Sequence, residues 1–599
     1  MRFPTIRKVY ALFPADERWK LVLLLGGMLG AGLWQVLGLA SVMPFIGLVA
    51  NPDLVRVNPW MHRLYDALGF TDTRQFLFFA GVSVAVVFAL GNALTALTSW
   101  FSYRFIWYNQ QKMAQRLLEE YLNKPYAFFL DRHGANLGKT LLNEVRAVVT
   151  NIIVPGLEVV AKTVSTVLII ALLVFVNPSL AAVISLTLGG AYGVVYWTIR
   201  RTQKRLGNRQ VEALGAMWRV ASEAFGGIKD VKVLGREADF VARFRTPSLE
   251  YAAAHASNDT ARQLPAYALE AMAVSGMLAV LLYLLRVRAS LADVLPLIAL
   301  YVVAGNRLMP AFHQIFAGLA AIRFHGASLD ELYADMSGLP AAGRPRAPRR
   351  SKTPSHRGSE IRFRGLSFEY PGAKRQALAN VDLVIPPHAT VGFVGSTGSG
   401  KTTMVDLILG LFSPTAGEIL IDGQRLDAST MDMWRSRIGY VPQHIFLCDD
   451  TITRNIAFGI PDKDIDQAAV ERAARSASLE AFISKLPEGY QTMVGERGVR
   501  LSGGERQRIG IARALYQDPD VLVMDEATSA LDTVTEDAVM AATRDLSANR
   551  TVILIAHRLS TVRHCDTIFL LEAGAIVASG SYDELVATNA SFRAMAGLP

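Results

Sequence analysis

Apolar residues dominate the first 330 positions of the chain and gather there into six long stretches. Each stretch is long enough for a helix to cross roughly 30 Å of hydrocarbon, which takes about 20 residues. The glycines and prolines inside them are tolerated in membrane helices. We therefore predict an all-α membrane domain of six spans over residues 1–330. The predicted spans are residues 21–50, 76–107, 152–176, 180–199, 264–285 and 291–321.

The pattern changes after residue 330, where a basic, proline-containing segment at 343–350 predicts a solvated linker over residues 331–358. From Glu360 onward apolar and polar residues alternate, as they do in half-buried strands. Three short apolar runs further along have the length of buried parallel strands, and helical stretches separate them. These features predict an α/β domain over residues 359–599. The three runs are residues 390–394, 521–524 and 552–555.

The basic residues are distributed as in a membrane protein. The chain of 599 residues carries a net charge of +9, and its mean hydropathy is +0.27. Seven Lys and Arg residues lie from Arg104, near the end of span two, to Arg146, and twelve lie from Arg200 to Arg262, so nearly all of them are in the connections after spans two and four. Positive charge collects on the cytoplasmic side of membranes, so these connections and both termini are predicted to be cytoplasmic. The same distribution argues against a nucleic-acid-binding surface.

A glycine-rich segment follows the predicted strand 390–394 and opens a predicted helix. Its spacing matches the phosphate-binding loop pattern, which requires this strand and helix on either side. Glycines let backbone N–H groups close around phosphates, and the helix N-terminus adds partial positive charge. We expect Lys401 to contact the β- and γ-phosphates of ATP and Thr402 to bind Mg²⁺. The predicted ATP-binding residues of this segment are Gly395, Ser396, Thr397, Gly398, Ser399, Gly400, Lys401, Thr402 and Thr403.

Two carboxylates end the predicted strand 521–524. Asp525 is placed to hold Mg²⁺, directly or through water, and Glu526 is placed to polarise the attacking water. The alternative is a strand that merely ends in exposed acidic residues. The phosphate-binding loop in the same domain favours the catalytic interpretation.

Several further segments resemble motifs of the ABC ATPases. Residues 501–507, with the sequence LSGGERQ, resemble the signature motif of that family. The other motifs follow in the family's order and the resemblance extends to the six-span layout, so the chain resembles an ABC exporter half-transporter. This resemblance implies ATP hydrolysis coupled to transport, with ATP and Mg²⁺ as cofactors. The residues it implies are Tyr370 at the adenine, Gln443 and His557 in catalysis with Glu526, Gln443 also at Mg²⁺, and Ser502, Gly503, Gly504 and Asp532 at ATP.

The resemblance also implies that two such domains work together. The phosphate-binding loop of one domain would hold ATP against residues 502–504 of the other, whose N–H groups face the γ-phosphate. Because Glu526, His557 and the signature segment are intact, we expect a homodimer with two working sites rather than a heterodimer with one damaged site. The cytoplasmic connections are expected to contain coupling helices, within residues 123–136 and beside residues 223–230.

The connection between spans one and two contains an amphipathic segment. Apolar residues at positions 60, 61, 64, 65 and 68 fall on one face of a helix, with His62, Arg63 and Asp66 on the opposite face. Two interpretations stay open. The segment is either a helix lying on the external membrane surface or an element that packs between the two spans.

Three charged residues fall inside the predicted spans. Counted at about 1.5 Å per residue from the external turns, Glu270, Arg307 and Lys162 all lie about 25 Å deep. Charges inside a membrane normally face the protein interior, where they form ion pairs or mark a substrate path. We expect either a structural Glu270–Arg307 pair or a cavity in which Arg307 and Lys162 bind a phosphate of the substrate.

Short segments of the membrane half resemble a narrower family, the bacterial PglK-type flippases for lipid-linked oligosaccharides. They are residues 41–46 in span one, 307–310 in span six and 328–330 beyond it. The resemblance implies movement of a polyprenyl-diphosphate-linked glycan from the inner to the outer leaflet of a bacterial inner membrane. That family has basic residues facing the cavity on spans two and five, where this chain has Gly91, Asn92 and Ala266. The alternative is a general lipid or multidrug exporter.

Overall fold

The computed structural model describes residues 3–14, 17–130, 132, 134–287, 291–337, 359–373, 375–526, 550–556 and 558–597. The chain divides into two compact units. The first unit contains Met1–Lys124 and Asp131–Ala342, and the second contains Pro125–Leu130 and Gly343–Pro599. Residues 125–130, which the sequence analysis placed in the membrane domain, therefore cluster with the second unit. Most of the predicted linker 331–358 lies outside the described residues.

Helices build the first unit. Six of its described helices have 23 or more residues, and each of these six overlaps one of the predicted spans. The helix α6 belongs to the second unit and all others here to the first. In chain order the helices are α1 (Phe3–Leu12), α2 (Arg18–Ala50), α3 (Leu54–Val57), α4 (Pro59–Ala67), α5 (Thr73–Leu122), α6 (Ala127–Leu130), α7 (Gly134–Lys139), α8 (Val145–Val148), α9 (Val154–Val176), α10 (Pro178–Gly226), α11 (Ile228–Val233), α12 (Glu237–Val287), α13 (Leu291–Phe324) and α14 (Gly326–Ser337).

Three helical stretches within the described residues are both long enough and apolar enough to cross a membrane. They are Arg18–Ala50, Thr73–Leu122 and Asn136–Val176, and they contain the first three predicted spans. The last three predicted spans overlap α10, α12 and α13.

Local sequence signals set several helix ends. The Asp72 side chain accepts a hydrogen bond from the Arg74 N–H at the start of α5, and Asn58 caps α4 in the same way. Asn177 is extended and ends α9, because a residue before proline is disfavoured in the helical region. Pro178 then starts α10 at a position where its missing N–H has no cost.

The helical stretch from Gly134 to Val176 is irregular. Two five-residue segments, Thr140–Glu144 and Val149–Ile153, have π-helical hydrogen bonding and separate α7, α8 and α9. Such segments are rare and occur mostly as single turns inserted in α-helices. Both segments contain buried residues, so the irregular stretch forms part of a packed interior.

The helices α10 and α13 approach each other closely where Gly207 meets the end of α13. A Cβ atom at Gly207 would lie 1.8 Å from the carbonyl oxygen of Phe324. That oxygen belongs to the backbone and cannot swing aside as a side chain can, so glycine is required at this contact.

Two sheets form the framework of the second unit. One is antiparallel with the strand order β2-β1-β4-β5, and the other has the order β10-β9-β3-β8-β7-β6. In the second sheet the strands from β9 to β6 are parallel, as the sequence predicts for its three buried runs. The strands are β1 (Ile361–Phe368), β2 (Leu378–Ile385), β3 (Thr390–Val394), β4 (Ala416–Ile421), β5 (Gln424–Arg425), β6 (Ile438–Val441), β7 (Val521–Asp525), β8 (Thr551–Ile555), β9 (Thr567–Glu572) and β10 (Ala575–Gly580).

Two hydrophobic clusters form the core of this unit. Val391 and Phe393 of β3 belong to one cluster and Val394 to the other, as expected for a strand with buried faces on both sides. One described helix follows the parallel strand β3, one lies between β5 and β6, four lie in the long insertion between β6 and β7, and the last three follow β8 and β10. They are α15 (Lys401–Ile408), α16 (Met431–Arg435), α17 (Ile452–Ile456), α18 (Gln467–Ser476), α19 (Glu480–Ile483) and α20 (Gly503–Leu515), followed by Leu559–Val562, Tyr582–Thr588 and Ala590–Met595.

The segment 125–130 packs on one of these clusters. The ring of Tyr126 meets the ring of Phe412 edge to face, with 5.6 Å between centroids, and Ala127 contacts the same cluster. The segment lies inside the range 123–136, where the sequence analysis expects a coupling helix.

Candidate functional site

The glycine-rich loop begins where β3 ends and leads into α15. Gly395 and Gly400 have φ angles of +153° and +107°, which L side chains rarely adopt. A Cβ atom at Gly395 would lie 2.2 Å from the Leu571 carbonyl oxygen, and one at Gly400 would lie 2.9 Å from the Ala377 carbonyl oxygen. Both positions therefore require glycine.

Lys401 folds back over this loop. Its Nζ donates hydrogen bonds to the carbonyl oxygens of Gly395 at 2.7 Å and Ser396 at 3.0 Å. The Oγ of Ser399 is buried and has no hydrogen-bond partner among the described residues. A buried polar atom of this kind normally has a partner, so the loop has capacity for an anionic ligand. Of the other predicted loop residues, Ser396, Thr397, Gly398 and Thr402 are exposed and Thr403 is buried.

The carboxylates at the end of β7 lie beside the loop. All five residues of β7 are buried, and the chain leaves the sheet at Glu526 with a φ angle of +47°. The Gln443 side-chain nitrogen donates a 2.7 Å hydrogen bond to Oε2 of Glu526. The structure therefore brings together the ends of β6 and β7, as the sequence analysis requires for Gln443 and Glu526 to act on one ligand.

Charge interactions join Asp525 and Glu526 to Lys401. Burial lowers the pKa of Lys401, while the negative charges of Glu526 and Asp525 oppose that shift. A neighbouring carboxylate, Asp406 on α15, was missed by the sequence analysis. Burial raises its pKa to about 6, and the charge of Asp525 adds to the shift. The site thus contains three acidic side chains, of which Asp525 and Glu526 interact with Lys401 and Asp406 interacts with Asp525.

Tyr370 follows β1 and packs on aromatic residues. Its ring lies edge to face with the rings of Phe368 and Phe412, at centroid distances of 5.0 and 5.4 Å. Its hydroxyl is 3.1 Å from Oγ1 of Thr403 on α15. These contacts place the half-buried Tyr370 next to the helix that follows the glycine-rich loop.

Ser502 starts α20 as a capping residue. Its Oγ accepts a hydrogen bond from the Glu505 N–H, and the Glu505 carboxylate accepts one from the Ser502 N–H. From the same helix, Gln507 donates a hydrogen bond to the Glu526 carbonyl oxygen at 3.3 Å. The signature helix is therefore tied to the end of β7. His557 and Asp532 lie outside the described residues.

In the first unit the expected Glu270–Arg307 pair is not formed. The Arg307 guanidinium lies over the ring of Phe88 on α5, 5.7 Å from its centroid. Glu270 is exposed on α12, and no ion pair between described residues joins it to Arg307. Counting residues from the external turn placed the two residues at the same depth, but it could not give the direction of either side chain.

Lys162 lines a cavity of about 230 Å³ between α2, α5, α9 and α13. A second charged residue, Glu158, lines the same cavity one helical turn before Lys162, and the sequence analysis missed it. The two charges interact, and the charge of Arg307 also reaches Lys162. The spacing of four residues on one helix was the available signal for Glu158.

Known proteins resemble both units. Residues 58–287 match the ABC transporter transmembrane region, and residues 378–529 match the ABC transporter domain. An ATP-dependent lipid A-core flippase of Cupriavidus metallidurans is 36% identical over 495 residues, 80% of each chain. Another, from Chromobacterium violaceum, is 30% identical over 587 residues, 94% of each chain. The structure of a bacterial Atm1-family ABC exporter with ATP bound has a TM-score of 0.76 and 26% identity, over 97% of this chain and 98% of the other.

The chain belongs to the ABC transporter family. It is an ATP-hydrolysing membrane transporter in which a helical transmembrane domain is fused to an α/β nucleotide-binding domain. The expectation of an ABC exporter half-transporter is confirmed, and so is the fold class.

Close packing explains one departure of this transporter from the narrower flippase family. A Cβ atom at Gly91 would lie 2.9 Å from Cδ1 of Trp34 on α2. The Trp34 indole nitrogen donates a 3.0 Å hydrogen bond to the Val87 carbonyl oxygen, which holds the ring in place. An arginine at position 91 would have to displace this tryptophan.

The amphipathic segment of the transporter forms α4. It has features of both structures considered for it, a packing element between two spans and a helix with an outward-facing apolar surface. Met61, Tyr65 and Phe70 pack on a small cluster formed by the end of α2, the helix α3 and the start of α5. Trp60, in contrast, is 78% exposed, and Leu64 and Leu68 are also exposed. One part of the apolar stripe is therefore a packing element, and the other part faces outward.

Proposed function

We propose that two copies of this chain form an ATP-driven flippase that moves a phosphate-bearing lipid from the inner to the outer leaflet of a bacterial inner membrane. The observation that carries the proposal is the similarity to lipid A-core flippases, which extends over both units. The basic connections after spans two and four support a cytoplasmic position for the nucleotide-binding domain and both termini.

The ATP site supplies the energy in this proposal. The glycines of the loop and the unpartnered Ser399 hydroxyl fit a phosphate chain, which Lys401 would hold as a cation. Thr402, Asp525 and the Gln443 side-chain oxygen are the residues that would hold Mg²⁺, an ion that prefers oxygen ligands. Mg²⁺ would neutralise charge on the phosphates.

Glu526 would orient and polarise the attacking water. Its carboxylate is directed by the hydrogen bond from Gln443, and its position after a fully buried strand fixes its backbone. By resemblance to the family, His557 would act in catalysis with Glu526, and Asp532 would contact ATP.

Two copies are required because the signature helix of one chain would close on the phosphates held by the other. Ser502 and the N–H groups of Gly503 and Gly504 start α20, where a helix N-terminus favours an anion. ATP would then favour the closed pair. Moving an equilibrium from 1:99 to 99:1 takes about 5.5 kcal/mol of differential binding.

The substrate class comes from the relatives and from the membrane charges. A lipid tail can stay in hydrocarbon, whereas a phosphate headgroup crosses it only at a cost of several kcal/mol. Lys162 and Arg307 would lower that cost. Lipid A-core is therefore the first candidate, and a lipid-linked oligosaccharide is the second, favoured by the outward-facing apolar residues of α4.

The test is reconstitution in liposomes with fluorescent lipid A-core or with a fluorescent lipid-linked oligosaccharide. We expect ATP to change the leaflet distribution of a phosphate-bearing lipid with the wild type and not with Glu526→Gln. Stimulation of ATPase activity by an uncharged drug alone, with no change in either lipid, would favour the multidrug exporter.

A further inference from the structure

The cavity between α2, α5, α9 and α13 is lined by two charged residues, Glu158 and Lys162, which stand four positions apart on one face of α9. Both side chains are half-buried, and neither forms a hydrogen bond, or an ion pair within 4 Å, with another described residue. Charged groups inside a membrane are normally paired, or they face a substrate path. Both groups are therefore available to a ligand.

One wall of this cavity is a row of hydroxyl groups on α5. The hydroxyls of Thr95, Thr98 and Ser102 line the cavity. Each donates its hydrogen to a backbone carbonyl oxygen one turn earlier, that of Gly91, Leu94 and Thr98 respectively. A hydroxyl oxygen whose hydrogen is used in this way can still accept hydrogen bonds. The wall therefore presents acceptors to the cavity.

Two further acceptors face the same space. The Gln35 amide nitrogen donates a 2.8 Å hydrogen bond to Oγ1 of Thr95, which leaves its amide oxygen to accept. The ionised carboxylate of Glu158 is an acceptor only. A ligand at this wall must consequently bring donors, which an ionised phosphate does not have.

Lys162 determines which donor fits. An ammonium group on the ligand would donate to the acceptors, but the Lys162 ammonium would repel it. A hydroxyl group satisfies both sides, because its hydrogen can bond to Glu158 while the oxygen of a neighbouring hydroxyl accepts from Lys162. The arrangement of one cation among many acceptors thus suits a group with adjacent hydroxyls.

We propose that this cavity binds a sugar ring of the lipid headgroup, with one ring hydroxyl donating to Glu158 and its neighbour accepting from Lys162. This inference rests on the proposed lipid transport and names the part of the substrate that the cavity recognises. Lipid A-core and a lipid-linked oligosaccharide both carry sugars beside phosphate. Because an ammonium group has three N–H donors, Lys162 can contact that phosphate and the ring together.

The size and position of the cavity agree with one ring taken up from the inner leaflet. Its volume of about 230 Å³ is smaller than the roughly 300 Å³ at which sites for whole drug-sized ligands begin, so it holds a part of a headgroup. Glu158 lies in the second turn of α9, which starts at Val154. That end of α9 follows the basic connection that we place in the cytoplasm.

The experiment compares two pairs of lipids, each matched in phosphate content, in proteoliposomes made otherwise of phosphatidylcholine. One pair is lipid A and cardiolipin, in which two phosphates are joined by a disaccharide and by glycerol respectively. The other is a polyprenyl-diphosphate-linked oligosaccharide and the bare polyprenyl diphosphate. We expect the wild type to reach half-maximal ATPase stimulation at a lower mole fraction of the sugar-bearing member in at least one pair.

The decisive variant is Glu158→Gln, which removes the charge at constant shape. Its effect on phosphate binding is shared by both members of a pair, so the ratio of their half-maximal mole fractions isolates the sugar contact. We expect this ratio to fall by about fivefold or more, since a hydrogen bond to a charged group is stronger than one to a neutral amide. Glu212→Gln removes an exposed carboxylate on α10 outside the cavity and should keep the wild-type ratio.

A second variant tests the hydroxyl wall without touching a charge. Ser102→Ala removes one acceptor from α5 with little change in volume, and we expect it to lower the ratio by about twofold or more. This variant decides the question should Glu158→Gln fail to fold.

Equal responses of the wild type to both members of each pair, or an unchanged ratio in the folded variants, would overturn this inference and leave the flippase proposal standing. A wild type that responds to none of the four lipids and moves none of them would overturn the flippase proposal, and this inference with it. The two failures are therefore distinguishable.

Discussion

The side-chain nitrogen of Gln443 donates a 2.7 Å hydrogen bond to the carboxylate of Glu526. This bond connects the ends of β6 and β7, two neighbouring parallel strands. Glu526 has a left-handed φ of +47°, which costs a non-glycine residue about 1 kcal/mol or more. Such strain persists where surrounding contacts determine the conformation, and the bond from Gln443 is one of those contacts. The backbone conformation of Glu526 and the hydrogen bond from Gln443 therefore fix the direction of the Glu526 carboxylate together.

Replacing Glu526 by glutamine should abolish turnover and spare ATP binding. The carboxylate acts on water, whereas the glycine-rich loop and Lys401 hold the phosphates. We expect kcat to fall by about 10²- to 10⁴-fold, the usual contribution of a general base. Steady-state ATPase assays measure the loss, and a fluorescent ATP analogue measures binding.

The matched control is Glu584→Gln. Glu584 closes a capping box at Ser581, far along the chain from the ATP site, and glutamine can fill the same capping role. Its turnover should stay near the wild-type value. Near-normal turnover of Glu526→Gln would remove Glu526 from its proposed role.

Mixed dimers test the shared site. Lys401→Ala and Ser502→Arg should each inactivate a dimer of identical chains, because every site contains one damaged element. A dimer of one chain of each kind has one intact composite site and one doubly damaged site, so ATP photolabelling should return. Labelling that depends only on the phosphate-binding loop of the same chain, whatever the partner carries, would contradict the shared site.

Asp406→Asn should stabilise the second unit, and more so at pH 8 than at pH 5. The pKa of Asp406 is raised to about 6 in the folded chain, so the folded state binds its proton more tightly than the unfolded state. Ionisation therefore costs stability as the pH rises from about 4 through 6. Because the residue is only half-buried, we expect roughly 1 kcal/mol of stabilisation at pH 8.

The measurement is thermal unfolding of purified variants at the two pH values. Asp449→Asn removes an exposed carboxylate from the same unit and serves as the control for lost charge. An Asp406→Asn stabilisation that is equal at both pH values would show that packing, not ionisation, is responsible.

Gly207→Ala should disrupt the contact between α10 and α13. The added methyl group would lie 1.8 Å from the Phe324 carbonyl oxygen, and overpacking of this kind costs about 1–3 kcal/mol. We expect a lower unfolding temperature of the full transporter. Gly215→Ala, on the same helix with nothing within 4 Å of its Cβ position, should raise that temperature slightly through helix propensity. Equal effects of the two substitutions would contradict the close approach.

Local patterns predicted which residues lie around the glycine-rich loop. The glycine-rich loop, Lys401, and the carboxylates at 525 and 526 all depend on short segments next to apolar strands, and their chemistry follows from that context. Gln443 joins Glu526 across 83 positions, and its hydrogen bond depends on β6 and β7 being neighbours. Sequence spacing alone contains no information on that strand order.

The contacts of the charged residues inside the membrane spans were predicted less well. Counting residues gave the depth of Glu270 and Arg307 but not the face of the helix, and Arg307 lies over Phe88 instead of beside Glu270. Glu158 was missed although it stands four positions before Lys162. A spacing of four residues places two side chains on one face of a helix, and this local pattern contained the information that depth alone did not.

The two π-helical segments, Thr140–Glu144 and Val149–Ile153, also alter the phase of the helix that follows them. Each widened turn offsets the side-chain directions by about one residue, or 100°, relative to a regular helix of 3.6 residues per turn. Deleting a single residue from the second segment would therefore act as a rotation of α9. Lys162 would turn out of the cavity without any change in its own identity, so the number of residues in these two turns determines which face of α9 lines the cavity.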